Sequence, residues 1–305
     1  MADPLPAQIP TPPPTPSGRV VLITGASTGI GLAAARALAA RGDTVVTVSR
    51  GSGPGAAAAA RIAAETGGDV HFLAADLGLF AGQRAFAEAF RERWSRLDVL
   101  VLNAGAYFGS RTETEDGVEA TWALNHLGVF VPAVLLADLL VASAPARVVV
   151  TSSDAAQMAR FRWDDLEFAR GYSGWIAYAQ SKLANQTFTR ALARRLEGTG
   201  VTVHAFHPGF VATGFGSGAG IAARAFVLLQ KLVARSPERG ADTMTWLATA
   251  DVPGTGGYWM DRRPRRPARG GEGSDVEERL WAASVARAGL TDADLAAFGG
   301  ATKAS

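Results

Sequence analysis

Residues 19–40 read RVVLITGASTGIGLAAARALAA, and this stretch decides the fold class. The β-branched run over 19–24 has the composition of a strand that is buried on both faces of a parallel sheet. It leads into a glycine-rich turn and then into an alanine-rich helix over 32–40. Strand, glycine turn and helix in this order predict an α/β fold built on a doubly wound parallel sheet.

The glycine turn has the spacing of a dinucleotide site. Gly25 lets the chain turn sharply, Gly29 lets backbone N–H groups approach a pyrophosphate, and Gly31 lets the helix pack close to the strand. The helix N-terminus adds partial positive charge for the phosphates. A tight turn without a ligand is the alternative. The residues predicted to contact the cofactor here are Gly25, Ser27, Thr28, Gly29, Ile30 and Gly31.

Further apolar runs continue the alternation of strands and helices along one domain, predicted over residues 18–290. Residues 1–17 contain seven prolines and predict a disordered tail, with a proline-rich ligand for a partner domain as the alternative. Residues 291–305 are predicted to be a C-terminal tail. The predicted strands are 44–48, 70–74, 99–102, 147–151, 201–206 and 257–260, and the predicted helices are 51–64 in part, 82–94, 120–137, 178–198, 221–234 and 241–249.

Composition narrows the class of protein. The chain has 305 residues, of which 48% are hydrophobic and 19% charged, as in ordinary globular proteins. A net charge of only +2 gives no reason to expect nucleic acid. There are no cysteines, and the four histidines show no ligand spacing, so no metal is predicted. Residues 120–137 are uncharged, but Asn125, His126 and Pro132 indicate a buried helix, kinked at the proline, and not a membrane span.

The end of the second strand predicts which nicotinamide dinucleotide binds. An acidic residue here would accept hydrogen bonds from a ribose 2′-hydroxyl, whereas Ser49 followed by Arg50 suits a 2′-phosphate. The sequence therefore predicts NADP(H) in preference to NAD(H), and a surface arginine is the alternative. Asp76 follows the third strand, where it would reach the adenine amino group or cap the next helix.

Small residues follow the fourth strand, where they let the backbone lie against a nucleotide ring. Leu77, the neighbour of Asp76, is also predicted to contact the cofactor. This part of the predicted cofactor site therefore consists of Arg50, Asp76, Leu77, Asn103, Ala104 and Gly105.

Tyr178 and Lys182 are four residues apart, so on a helix they share one face. Tyrosine has a pKa of about 10 and is a poor acid–base catalyst at neutral pH unless a cation favours the phenolate. Lys182 supplies that cation if the face points into a cleft, and a solvated surface pair is the alternative. The fifth strand delivers Ser152 and Ser153 at its carboxyl end, where open α/β sheets bind ligands.

Two segments are candidates for the substrate site. The stretch between Ser153 and Tyr178 is rich in aromatic residues, which could line a cleft or simply pack. Residues 214–236 combine glycines with an apolar helix and predict a mobile lid, with a membrane-surface helix as the alternative. The arginines at positions 262, 263, 265, 266 and 269 predict a solvated loop more readily than an anion or nucleic-acid site.

Five motifs in a fixed order resemble the short-chain dehydrogenase/reductase family over roughly Arg19 to Leu290. They are T-G-x-x-x-G-x-G at 24–31, N-A-G at 103–105, serine at 153, Y-x-x-x-K at 178–182 and P-G-x-x-x-T at 208–213. N-H-L-G at 125–128 and S-K-L-A-N at 181–185 resemble the branch of retinol dehydrogenases and WW-domain-containing oxidoreductases. Leu102 and Pro132 depart from the usual pattern, and the membrane anchor of many animal retinol dehydrogenases is not predicted.

The resemblance implies a Rossmann fold and a role for each matched residue. Tyr178 would donate a proton to the carbonyl oxygen, which Ser153 would also hydrogen-bond. Lys182 would lower the pKa of the tyrosine and hold the nicotinamide ribose, and Asn125 would hold a water that links Lys182 to solvent. The resemblance extends the cofactor site to Tyr178, Lys182, Pro208, Gly209, Val211 and Thr213, of which Thr213 would meet the nicotinamide carboxamide.

The expected function is an NADP-dependent oxidoreductase that interconverts an apolar ketone or aldehyde and its alcohol. One alternative is a carbon–carbon double-bond reductase of the protochlorophyllide-reductase type, although that branch relies on a cysteine that this chain lacks. Another is a dinucleotide sensor without turnover. A bacterial cytoplasmic enzyme with a small-molecule substrate, without nucleic acid, and with a possible homodimer is expected.

Overall fold

The computed structural model describes residues 18–209 and 235–299. One eight-stranded sheet forms its centre. In chain order the strands are β1 (Val20–Thr24), β2 (Thr44–Ser49), β3 (Val70–Ala74), β4 (Val99–Leu102), β5 (Ala146–Thr151), β6 (Val201–Phe206), β7 (Tyr258–Met260) and β8 (Arg263–Arg265). Their order across the sheet is β3-β2-β1-β4-β5-β6-β7-β8, with β8 antiparallel to β7 and every other pair parallel.

Helices cover both faces of this sheet. They are α1 (Gly29–Ala39), α2 (Ser52–Thr66), α3 (Phe80–Arg91), α4 (Ala120–Trp122), α5 (Gly128–Leu135), α6 (Ala137–Ala142), α7 (Gly174–Arg195), α8 (Pro237–Thr249) and α9 (Ser274–Ala288). A π-helical turn (Ala123–Leu127) joins α4 to α5, and short 3-10 turns lie at Asp154–Met158 and Ala296–Phe298.

Two buried apolar clusters make the fold three layers thick. One unites α1, α2 and α8 with one face of the sheet. The other unites α3, the helices from α4 to α7, and α9 with the opposite face. The central strands are buried on both faces, which explains their continuous runs of valine, leucine and isoleucine. The predicted doubly wound parallel sheet is therefore confirmed.

The strand order reverses between β1 and β4, because the chain builds β1, β2 and β3 outward in one direction and then returns to continue in the other. In open α/β sheets, ligands bind in the crevice outside the carboxyl ends of the strands at such a switch point. The residues that follow β1, β4 and β5 are therefore brought to one edge of the sheet.

Several element boundaries differ from the predictions. Helix α1 begins at Gly29 and not at residue 32, because the glycine turn itself supplies the first helical turn. The predicted single helix over 120–137 is divided into α4, the π-helical turn and α5, and Pro132 lies inside α5. The predicted kink at Pro132 stays a prediction, and the structure adds irregular backbone at Asn125, in the π-helical turn before α5.

Strand β8 and helices α6 and α9 are not among the predicted elements. The arginines that predicted a solvated loop form β8 in part, paired through the backbone with β7, and Arg262 forms an ion pair with Asp242. Helix α9 carries acidic residues in its first turn. Such residues are a sequence signal for the start of a helix, so this helix could have been predicted. Residues 291–299 pack on the domain, where Asp294 pairs with Arg84 at 3.0 Å.

None of the helices within 18–209 and 235–299 has the length and apolar character of a membrane span. The predicted lid over 214–236 lies outside the described residues except for its last two positions. The predicted homodimer and cytoplasmic location stay predictions.

Candidate active site

The glycine turn after β1 brings the start of α1 against the end of β4. Gly25 has φ of +67°, and a Cβ atom there would lie 2.8 Å from the Cα of Ala104. At Gly31 a Cβ would lie 2.4 Å from the carbonyl oxygen of Gly25 and 2.7 Å from Nδ2 of Asn103. Side chains are excluded at both positions, so the backbone of three segments is packed together at the switch point.

The first N–H groups of α1 point into this crevice from a helix of 11 residues. The side chain of Thr28, the N-cap residue, makes no capping hydrogen bond within the described part of the chain, and the first turn contains no acidic residue. Because the first N–H groups of a helix have no partner within it, they are free to bind an anion. The arrangement fits a pyrophosphate.

Thr24 and Asn103 fix the turn from beneath. The hydroxyl oxygen of Thr24 accepts hydrogen bonds from the N–H groups of Asn103 at 2.9 Å and Ala104 at 3.1 Å. The Asn103 amide donates to the carbonyls of Thr24 and Gly25, both at 3.1 Å, and accepts from Thr151 at 3.2 Å. The ends of β1, β4 and β5 are thus held together by side chains.

The end of β2 offers two groups to a ligand. Arg50 is exposed and forms no ion pair among the described residues. The hydroxyl of Ser49 is buried and has no hydrogen-bond partner there. An unsatisfied buried hydroxyl is costly, so a ligand that hydrogen-bonds Ser49 would relieve that cost.

Asp76 lies at the end of β3 in a turn of its own. Its Oδ1 accepts from the N–H of Gly78 at 2.8 Å. Helix α3 has Leu79 as its N-cap residue, so Asp76 closes the preceding turn and does not cap the helix itself. Leu77 is buried beside it, and its carbonyl accepts from the amide of Gln83 at 2.8 Å.

Asn125 lies in the π-helical turn between α4 and α5. Its Oδ1 accepts from the N–H of Ala106 and its Nδ2 donates to the carbonyl of Ala106, each at 2.8 Å, and Nδ2 also lies 3.2 Å from Oγ of Ser181. The side chain therefore clamps the loop after β4 to the helix. Isolated π-helical turns often mark functional sites, because they displace backbone groups from the regular helical pattern. The water predicted to be held by Asn125 stays a prediction.

Ser153, Tyr178 and Lys182 come together at the carboxyl end of β5. Tyr178 and Lys182 lie on one face of α7, and Tyr178 forms a hydrogen bond with Ser153. The ammonium nitrogen of Lys182 lies 5.6 Å from the centre of the Tyr178 ring and donates to the carbonyl of Thr151 at 3.2 Å. Both side chains are buried, with 9% of Tyr178 and 3% of Lys182 exposed.

Burial controls the protonation of this pair. Loss of water raises the pKa of Tyr178 to about 12, and the hydrogen bond with Ser153 opposes that rise. Loss of water lowers the pKa of Lys182 to about 8. Desolvation of the phenolate is the largest cause of the rise, and the expected lowering of the tyrosine pKa by Lys182 stays a prediction. At neutral pH, Tyr178 holds its proton and is ready to donate it.

Pro208 and Gly209 follow β6 at the same edge of the sheet. Gly209 has φ of +78°, and a Cβ atom there would lie 2.6 Å from Nε of Arg235. Val211 and Thr213, also predicted to contact the cofactor, lie outside the described residues.

Aromatic side chains surround the Tyr178 ring. Trp175 stacks with it at 5.9 Å between ring centres, and Tyr107 meets it edge-on at 6.4 Å. Trp175 is 45% exposed and Tyr107 is 37% exposed. Together with Met158, they are the large hydrophobic side chains that stand exposed in the described part of the chain. We call Trp175 and Tyr107, which contact the Tyr178 ring, the aromatic rim.

The comparisons with known proteins agree with this geometry. The family model described as short chain dehydrogenase matches residues 19–220. The chain belongs to the short-chain dehydrogenase/reductase family. It is 39% identical over 282 residues to human Retinol dehydrogenase 13, covering 90% of this chain and 85% of the relative. It is 40% identical to the "Putative daunorubicin C-13 ketoreductase DnrU" of Streptomyces sp. (strain C5), covering 90% and 94%.

A solved structure extends the likeness. The Pseudomonas aeruginosa RhlG/NADP active-site complex has a TM-score of 0.63 and 31% identity, covering 79% of this chain and 94% of that one. Within the family, the chain falls in the retinol dehydrogenase branch. It is therefore an oxidoreductase that acts on alcohol or carbonyl groups, and as a family member it binds a nicotinamide dinucleotide.

The described residues fit such a cofactor. The crevice has side-chain-free backbone at Gly25 and Gly31, helix N–H groups for phosphates and an unsatisfied hydroxyl at Ser49. At the nicotinamide end predicted by the family resemblance, Gly105 leaves room beside Lys182, since a Cβ there would lie 3.4 Å from the ammonium nitrogen.

Sequence reasoning missed several residues of the site. Thr24 carries no signal beyond its place at the start of the glycine motif, yet its hydroxyl organises the turn. Tyr107 follows the N-A-G motif by two residues and gives no pattern of its own. Of the aromatic residues between 154 and 177, only Trp175 reaches the rim, whereas Phe168 is buried and Tyr172 bonds Glu119 at 3.1 Å.

Proposed function

We propose that this protein is an NADP-dependent oxidoreductase that interconverts an apolar ketone or aldehyde and its alcohol, with Tyr178 as the general acid and base. The observation that carries the proposal is the hydrogen bond of Tyr178 with Ser153, beside Lys182, at the carboxyl edge of the sheet. The nicotinamide supplies the hydride when bound. The rest of the reaction is the transfer of one proton to the carbonyl oxygen and the stabilisation of the charge that develops there. Ser153, Tyr178 and Lys182 can perform both.

The proton chemistry follows from the protonation of the pair. Neutral Tyr178 donates its proton to the oxygen of the carbonyl while Ser153 hydrogen-bonds the same oxygen, so the negative charge that develops there is stabilised. The Lys182 ammonium stabilises the tyrosinate that remains. In the oxidative direction the tyrosinate accepts the proton of the alcohol.

The preference for NADP rests on the end of β2. Arg50 is exposed without a carboxylate partner in the described residues, and Ser49 has a buried hydroxyl without a partner there. A guanidinium and a hydroxyl both suit a phosphate on the 2′-oxygen of the adenosine ribose. The RhlG complex with NADP, at 31% identity, supports the same preference.

The apolar substrate is supported by the aromatic rim. Trp175 and Tyr107 border the ring of Tyr178, so a substrate that places its carbonyl at Tyr178 must contact them. Neither residue carries a charge that could bind a carboxylate. Relatives named for retinol and for the C-13 ketone of daunorubicin are consistent with large apolar substrates.

The test is NADPH oxidation, followed by absorbance, with a panel of uncharged ketones and aldehydes and with the matched variant Tyr178→Phe. Turnover by the wild type that is lost in the variant supports the proposal. Binding of NADPH without turnover of any member of the panel would favour the dinucleotide sensor instead. Reduction of enones at the carbon–carbon bond, seen by product analysis, would favour the double-bond reductase.

A further inference from the structure

A chain of buried polar side chains runs from α9 toward the active site. Oγ of Ser284, on α9, lies 2.8 Å from Nε2 of His126, in the π-helical turn. Nδ1 of His126 faces Oδ1 of Asn185, on α7, at 3.5 Å. All three residues are fully buried. The proposed chemistry uses none of them.

Asn185 ends this chain beside Lys182. Its Nδ2 donates to the carbonyl of Asn125 at 2.9 Å and to the carbonyl of Thr151 at 3.3 Å. The carbonyl of Thr151 is also the acceptor for the ammonium of Lys182, at 3.2 Å. Asn185 and Lys182 therefore share one acceptor, and Asn185 ties that acceptor to the irregular turn that carries Asn125.

The hydrogen bonds fix the direction of the chain. Both amide hydrogens of Asn185 are used by carbonyls, so its Oδ1 must face His126 and can only accept. Burial lowers the pKa of His126 to about 3, so its ring is neutral and carries one proton. With that proton on Nδ1, the ring donates to Oδ1 of Asn185 and Nε2 faces Oγ of Ser284. The hydroxyl of Ser284 also donates to the carbonyl of Leu280 at 2.8 Å, so its one proton is shared between this carbonyl and Nε2.

We propose that Asn185 is a positioning residue for the reaction, which holds the carbonyl of Thr151 against Lys182 and ties it to the carbonyl of Asn125, and that α9 stiffens it through Ser284 and His126. The inference rests on the proposed role of Lys182. Without Asn185 the Thr151 carbonyl loses one of its two donors and the turn at Asn125 loses its tie to β5. The ammonium then loses a fixed acceptor, which lowers its pKa and loosens its hold on the nicotinamide ribose.

A merely structural role for Asn185 predicts a different result. Buried polar groups stabilise the fold, so their removal lowers the free energy of unfolding whether or not they position Lys182. The distinguishing measurement is the pH dependence of kcat/KM for the carbonyl substrate, together with the affinity for NADPH. A packing defect far from Lys182 changes stability and leaves both of these unchanged.

The experiment compares Asn185→Leu and Ser284→Ala with Thr187→Val. Thr187 is a matched control, because it is also buried on α7 and its hydroxyl donates to the carbonyl of Gly271, in the segment before α9, at 3.0 Å. We expect Asn185→Leu to lower kcat about 10- to 100-fold, as for other losses of catalytic positioning. In this variant, the fall of kcat/KM on the basic side of the pH profile, its basic limb, should begin at a lower pH than in the wild type. Ser284→Ala should move the limb in the same direction by less, and Thr187→Val should not move it.

The proposal is overturned if Asn185→Leu keeps the wild-type kcat and the wild-type pH profile. It is also overturned if the basic limb of the pH profile shifts equally in Ser284→Ala and in Thr187→Val. If Asn185→Leu does not fold, the comparison of Ser284→Ala with Thr187→Val decides. If no carbonyl substrate turns over, the proposed function fails and NADPH affinity, measured by quenching of tryptophan fluorescence, still decides this inference. Weaker binding in Ser284→Ala than in Thr187→Val supports it, and equal binding contradicts it.

Discussion

The ammonium nitrogen of Lys182 lies 5.6 Å from the centre of the Tyr178 ring, one helical turn away on the buried face of α7. At this distance the cation favours the phenolate, while burial of both groups opposes charge on either. The balance leaves Tyr178 protonated with a pKa of about 12 and leaves Lys182 with a pKa of about 8. Tyr178, the proposed proton donor, is therefore protonated at neutral pH, and Lys182 is the member of the pair that titrates near physiological pH.

Replacing Tyr178 with phenylalanine is expected to abolish turnover and to leave NADPH affinity almost unchanged, because the variant lacks only the hydroxyl. General acid catalysis contributes about 10²- to 10⁴-fold, so the loss of kcat should fall in that range. Steady-state kinetics and fluorescence titration of the cofactor measure the two effects. Lys182→Ala is the comparison and should impair both. A phenylalanine variant that keeps more than about a tenth of the wild-type kcat would place the proton donor elsewhere.

The rate of carbonyl reduction should fall as the pH rises above about 8. Below that pH the Lys182 ammonium is intact, and above it the ammonium loses its proton and no longer stabilises the tyrosinate. Tyr178 stays protonated until about pH 12, so the falling limb is assigned to the lysine. The profile of kcat/KM against pH reports the free enzyme and is the measurement. A flat profile up to pH 10 would contradict the assignment.

NADPH should bind more tightly than NADH, and Arg50→Ala should remove most of the difference. A charge-assisted contact between a guanidinium and a phosphate contributes about 1.5–3 kcal/mol, which is roughly tenfold or more in affinity. Titration of both cofactors into wild type and variant gives the result. Arg93→Ala, which removes another exposed arginine just beyond α3, is the control and should change neither affinity. Equal binding of the two cofactors to the wild type would refute the preference.

Uncharged ketones should be reduced better than 2-oxo acids of matched size, because the rim offers apolar contact and no cation for a carboxylate. Trp175→Ala should raise KM for the larger ketones and leave small ones less affected. Each lost methylene contact changes discrimination by about 1–3 kcal/mol. Trp94→Ala, at the opposite edge of the sheet, is the matched control for loss of a tryptophan. If the variant at Trp175 behaves like the one at Trp94, the rim is not the substrate site.

Gly31→Ala should destabilise the fold and weaken cofactor binding, because the new methyl group would lie 2.4 Å from the carbonyl oxygen of Gly25. Insertion of one methyl group into a packed site typically costs about 1–3 kcal/mol, and this contact is with backbone that cannot turn aside. Gly53→Ala is the control, since a Cβ there meets nothing within 4 Å in α2 and alanine favours a helix. Chemical denaturation should show destabilisation in the first variant only. Equal unfolding midpoints would mean that the turn can relax.

The order of the strands up to β6 could be predicted from the sequence, because buried parallel strands and their glycine turns leave local patterns. The meeting of Ser153, Tyr178 and Lys182 at one site could be predicted from short motifs, whereas their catalytic roles stay a proposal. The boundaries of α4 and α5 could not, because the π-helical turn is held by Asn185, which lies 60 residues later in the chain. Nor could the rim, since Tyr107 and Trp175 are brought together only when the loop after β4 packs against the start of α7.

By itself, the sequence determined the doubly wound sheet, the glycine turn at its switch point and the short motifs that carry the residues proposed to transfer the proton, since each depends on neighbours within a few positions. Only the tertiary structure decided the protonation of those residues. Tyr178 and Lys182 are four positions apart in any conformation, but the depth of their burial is set by β5, the loop after β4 and the helices packed on α7. Desolvation acts through all the surroundings of a group and not only through its chain neighbours, and for this reason burial raises the pKa of Tyr178, which the motif alone does not predict.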